Sequence, residues 1–167
     1  MTKCWSGHWP TLPRTDLQRT DSTEVLGLDL ALAYNNRGVA YQYLGQHQRS
    51  IRDFDKAIQL DPYYAMAYSN RGISYRRLDQ YQRAIQDYDK AIQLDPNYAD
   101  AYNNRGIAYK YLGQYQRAIE DYDKVIQLEP NAADAYYNRG IAYDELGQYA
   151  KADADYAKAC SLDNQYC

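Results

Sequence analysis

The sequence predicts an all-α, stacked-repeat fold, and three observations carry that prediction. The tripeptide Asn-Arg-Gly occurs at 36–38, 70–72, 104–106 and 138–140, a constant interval of 34 residues. A fixed period between about 20 and 50 residues marks a repeat architecture. Residues 65–98 and 99–132 agree at 24 of 34 positions, which points to duplication of one unit. Within a unit the apolar residues recur at spacings of three and four, the helical period.

The repeats fall at 31–64, 65–98, 99–132 and 133–166, preceded by residues 1–30 as an N-terminal tail. In the third repeat, Tyr102, Gly106 and Tyr109 mark a first helix over Ala99–Leu112. Ala118, Tyr122, Val125 and Ile126 mark a second over Tyr115–Leu128. Gly113 suits the left-handed conformation that ends a helix. Pro96 cannot extend one and biases Asp95 away from helical angles. Asn97 with Asp100, and Asn131 with Asp134, stand where they can cap the next helix. Each unit is therefore an antiparallel helical hairpin. The count of 21 tyrosines against two tryptophans and one phenylalanine follows from reuse of the same positions in every copy.

This pattern resembles the tetratricopeptide repeat. In the third copy Tyr102, Gly106, Tyr109, Ala118, Tyr122, Val125 and Pro130 fall on that family's signature positions. The resemblance covers about residues 31–166 and implies an α-solenoid of four helical hairpins forming a right-handed superhelical arc. There are departures. Arginine replaces the usual leucine before the glycine in all four copies, Ser50 replaces an alanine, Asp79 a loop glycine and Asn164 a proline.

The triplet glycine is expected to let the first helix approach the second, with Ser50, Ala84, Ala118 and Ala152 as small partners at the crossing. The tyrosines at 34, 68, 102 and 136, and at 41, 75, 109 and 143, are expected to fill the space between hairpins. A partly buried arginine is rarely left unpaired. Aspartates recur with the same period, so the expected pairs are Arg37–Asp53, Arg71–Asp87, Arg105–Asp121 and Arg139–Asp155. In the last second helix, Asp153 and Cys160 stand where the other copies carry isoleucine, giving a polar, self-capping end. At the other end, Asp21-Ser-Thr-Glu24 resembles a capping box before Val25, Leu26, Leu28 and Leu30, so a short leading helix is expected. The tail with Trp5 and Trp9 lies free or folds over the groove or the first helix.

Composition narrows the function. The formal net charge is −3, without the basic footprint of nucleic-acid binders. No apolar run approaches a membrane span, and Met1–Pro13 lacks the apolar core of a secretory signal. Three scattered cysteines make no disulfide framework, so a reducing cytoplasm is the default location, and Cys160 and Cys167 pair only if the tail folds back. Cys4 and His8 have too few companions for a metal site. The histidines are His8 and His47, and no phosphate loop or nucleophile–base pair is visible, so no catalytic residue and no cofactor are expected.

The resemblance implies a concave groove lined by the first helices, in which extended peptides lie. Asn36, Asn70, Asn104 and Asn138 would place one amide per repeat along it, resembling the asparagine ladder of O-linked N-acetylglucosamine transferases. An amide both donates and accepts, so it can grip a peptide backbone; solvation or a link between neighbouring hairpins would explain the residues equally. Tyr43 and Met66 contribute an apolar stretch, Arg76, Arg77, Lys110 and Tyr111 a basic middle, and Asp100, Asp134, Asp144 and Glu145 an acidic end. Asn35, Asn36 and Asp100 stand where chaperone-binding relatives would carry basic residues, so a chaperone's acidic C-terminus is not the expected ligand. The function expected is a non-catalytic module binding a protein or peptide. The alternatives are a scaffold that self-assembles through its ends or convex face, and a regulatory fragment beside an enzyme.

Overall fold

The computed structural model describes residues 15–167, with side chains described from residue 26 onward. Eight α-helices are present among the described residues: α1 (Thr15–Tyr43), α2 (His47–Leu60), α3 (Ala65–Arg77), α4 (Tyr81–Leu94), α5 (Ala99–Tyr111), α6 (Tyr115–Leu128), α7 (Ala133–Glu145) and α8 (Tyr149–Leu162). A 3₁₀ turn over Asn164–Tyr166 follows. They pair as four hairpins stacked into a solenoid, each second helix packing on the first helix of the next unit. None of these helices is long and apolar enough to cross a membrane.

Three-residue loops join the helices of each hairpin. Their middle position is left-handed: Gly45, Gly113 and Gly147 have φ near 70°, and Asp79 takes the same conformation at φ 58°. Glycine has no Cβ to clash there, so Asp79 is the strained member of the set.

The core of each hairpin is one aromatic ring against one glycine. A Cβ on Gly72 would lie 2.7 Å from the Tyr88 ring, and Gly38, Gly106 and Gly140 stand in the same relation to Phe54, Tyr122 and Tyr156. The glycine thus makes room for the ring of the second helix, whereas the expected partners were Ser50, Ala84, Ala118 and Ala152. Those residues are fully buried, with Ala84 clustering with Tyr88 and Ala108 of the following repeat. Tyr88 and Tyr122 have no exposed surface.

Two local expectations are corrected. Asn97 and Asn131 do not cap the helices that follow; the cap positions are Tyr98 and Ala132, neither with a side-chain cap bond. Asp95 organises the turn instead, its Oδ1 accepting the Asn97 N–H at 2.9 Å. Asp61 does the same for Tyr63, each aspartate closing its own turn two residues on. At the N-terminus no break separates a leading helix from the first repeat, because α1 runs unbroken through Gly27. The readings made for Trp5, Trp9, Cys4, His8 and the tail's course lie outside the described residues.

The C-terminus departs from the reduced-thiol default. The chain turns back after Leu162, and Cys160 and Cys167 are joined by a disulfide across a separation of seven residues. The 3₁₀ turn brings Cys167 beside α8, and Tyr166 packs on Tyr137 with ring centroids 4.9 Å apart.

Candidate functional site

The triplet arginine holds the stack together and is not free for a ligand. In each repeat its Nε and Nη2 grip one aspartate of the same hairpin bidentately. Arg71 donates to Asp87 at 2.9 and 2.6 Å, and Arg105 to Asp121 at the same distances. Arg37–Asp53 and Arg139–Asp155 are equivalent, at 2.7 Å. The four expected pairs are all present. The sequence reading missed a second carboxylate. Nη1 of Arg71, Arg105 and Arg139 donates to Asp55, Asp89 and Asp123 of the preceding repeat at 2.5–2.6 Å. The signal was available, since each acid lies 16 residues before its arginine, as each intra-repeat acid lies 16 after.

One guanidinium therefore ties two hairpins, and it lies over a tyrosine of its own helix at 5.5–5.6 Å from the ring centre. Burial works against the charges of Arg71 and Arg105. Hydrogen bonds and Coulomb attraction to both aspartates outweigh it and raise their pKa values. Burial likewise pushes the Asp87 and Asp121 carboxyls up, with the arginine bonds opposing. Such bidentate, charge-assisted bonds are the strong kind.

Successive first helices lie side by side, and their facing side chains form the surface expected to bind. The four asparagines do not behave alike. Asn70 donates to Asn35 at 3.0 Å, while Gln42 donates to the Asn70 carbonyl and to Ser74 at 2.6 and 2.7 Å. Asn138 accepts from Lys110 at 2.9 Å. Asn104 turns back onto the Asp100 carbonyl of its own helix, and Asn36 is exposed. Asn70 and Asn138 thus link neighbouring hairpins, and Asn36 and Asn104 make no such link.

At the N-terminal end of this surface, Tyr43 and Met66 are exposed apolar residues. In its middle, Tyr111 is exposed and stacks on Tyr81 at 5.1 Å. Arg76 and Lys110 are half-buried and Arg77 is exposed. None of the three forms an ion pair among the described residues. The Arg76 Nε is buried without a hydrogen-bond partner, as are the hydroxyls of Tyr88 and Tyr122 beneath. Burial lowers the Lys110 pKa, and the nearby Arg76 charge lowers it further. Burial pushes the Tyr88 hydroxyl up to about 12, with Arg76 opposing, and raises Tyr122 as well. At the C-terminal end, Asn103 donates to Asp134 and Asp144 accepts from the Tyr156 hydroxyl, while Asp100, Asp144 and Glu145 are all exposed.

Fold and surface define a solenoid of two-helix units, fastened by arginines and presenting an uneven face of first-helix side chains. Tetratricopeptide repeat models match residues 31–64, 65–98 and 99–132, and a further tetratricopeptide repeat model matches 121–154. The chain belongs to the tetratricopeptide repeat family. A search of curated protein sequences found no match. Among solved structures it is similar to MamA, at 29% identity and TM-score 0.76 over 92% of this chain and 96% of that one. It is similar to the first such domain of Spaghetti (RPAP3) bound to the HSP90 peptide SRMEEVD, at 30% identity and TM-score 0.71 over 72% and 95%. The second domain of human RPAP3 with the HSP70 peptide SGPTIEEVD gives 27% and 0.65 over 71% and 97%.

Proposed function

We propose that the chain is a non-catalytic protein–protein interaction module that takes an extended peptide across its first helices. The observation that carries this reading is the contrast among its cations. The triplet arginines are consumed by aspartates, whereas Arg76, Arg77 and Lys110 cluster in the middle of the surface with no carboxylate of their own among the described residues. A half-buried, unpaired cation pair is a poor structural device and a good receptor for an anion, since desolvated charge gains most from a partner. The ligand would bring an acidic segment to these three residues, with apolar side chains toward Met66 and Tyr43. Tyr111 and the amides of Asn36 and Asn104 would flank the backbone. The two peptides bound by the RPAP3 domains both end in Glu-Glu-Val-Asp, which supports acidic ligands for the fold while leaving this chain's own sequence preference to its own residues.

A peptide-array screen with wild type and the Arg76→Gln/Lys110→Gln double variant tests the reading. Acidic peptides should bind the wild type and lose about tenfold or more in the variant, the scale for lost charge-assisted bonds. Equal binding by both proteins would sink it.

A further inference from the structure

Among the described residues the joint between repeats is made three times inside the molecule and left open once, on α1. At each internal joint an alanine of the first helix (Ala67, Ala101 or Ala135) is fully buried, and the arginine four residues later takes an aspartate from the preceding second helix. On α1 the same residue types recur as Ala33, Tyr34 and Arg37. There Ala33 is exposed, and the Arg37 side chain is 58% exposed against 18–19% for the other three. Among the described residues Arg37 is paired with Asp53 alone, through Nε and Nη2, so its Nη1 lacks the second acid. Leu30 borders the same shallow depression and is exposed.

We propose that the α1 face formed by Leu30, Ala33, Tyr34 and Arg37 is a docking site for an amphipathic helix of a partner protein, one that carries an aspartate to Arg37 as Asp55 is carried to Arg71. Charge complementarity selects this occupant over two others. The tail of a second copy does not match, because α8 has Ala157 where α2, α4 and α6 have Asp55, Asp89 and Asp123. Residues 1–14 contain no aspartate or glutamate, so folding them over α1 would leave Arg37 short of its second carboxylate. The site lies on the end of the stack and is independent of the peptide-binding surface.

The test titrates the full chain with a fluorescently labelled synthetic peptide of residues 115–130, the second helix that carries Asp123. Anisotropy should show saturable binding, weakened about tenfold or more when the peptide carries Asp123→Asn. Ala33→Arg in the protein should abolish binding while leaving its thermal unfolding unchanged, since residue 33 is exposed. Arg77→Gln, in the peptide-binding surface, should leave binding intact. No binding, or binding indifferent to both Asp123→Asn and Ala33→Arg, overturns the proposal. So does a concentration-dependent dimer in light scattering that Ala33→Arg dissolves, because the face would then belong to a second copy.

Discussion

The two ends of the stack are made from the same 34-residue unit and finish differently. At the C-terminal end the chain folds back on itself. A 3₁₀ turn, a Cys160–Cys167 bond and the Tyr166–Tyr137 contact occupy the place where another hairpin would begin. The residues that would fasten a further repeat are gone, with Ala157 for the joint aspartate and Asp153 and Cys160 for isoleucines. At the N-terminal end the fastening residues are intact, and among the described residues Arg37 holds its own Asp53 alone. The difference teaches that the same arginine does different work with one neighbour and with two.

The sharpest way to break that comparison is to delete the arginine at each place. Arg105→Ala strands the buried Asp121 and frees Asp89, and should cost about 3–5 kcal/mol in urea unfolding. Arg37→Ala also leaves the buried Asp53 without its partner, but it removes a more exposed guanidinium that holds one acid among the described residues, and should cost less than Arg105→Ala. Equal losses would show that the second aspartate contributes nothing. Overpacking the joint comes next. Ala101→Leu should cost about 1–3 kcal/mol, while Ala33→Leu should stay within about 0.5 kcal/mol, read as a difference in denaturant midpoint.

The smallest effect separates the first repeat from the interior ones. Phe54 fills the first hairpin, where Tyr88 and Tyr122 carry buried hydroxyls without partners. Tyr88→Phe should therefore stabilise by about 1 kcal/mol at neutral pH. The pH dependence follows from the raised Tyr88 value. The folded chain keeps that proton up to about 12, whereas an unfolded tyrosine releases it near about 10. Between those values the folded state binds more protons, so stability is full below pH 10 and falls as pH rises toward 12. Tyr88→Phe should flatten that decline relative to wild type, measured as thermal midpoint against pH.

Much of this was legible in the residues. The hairpins, the left-handed loops and the four intra-repeat ion pairs follow from spacing, because a helix pair of constant length returns each side chain to the same place. The second aspartate was overlooked because an acid on an outer helix face reads as solvated until the neighbouring repeat is set against it. The glycine's partner was misjudged for a related reason: Ala84 and Tyr88 lie one turn apart on the same helix, and only packing shows which faces Gly72. The side chains along the first helices were identifiable by position, but not by state. Asn70 and Asn138 are engaged across the joint and Asn104 by its own helix, choices set by the reach of neighbouring side chains.

The doubly held arginine also bears on how such a chain grows. Each of the first three units carries one arginine, one aspartate for itself and one for the unit that follows. Inserting a whole unit between two others breaks one joint and makes two, without any further substitution. Insertion of half a unit rebuilds no joint. Lengthening by whole duplications is thus the change this design accepts, and the agreement of the second and third copies at 24 of 34 positions is what such a history leaves behind.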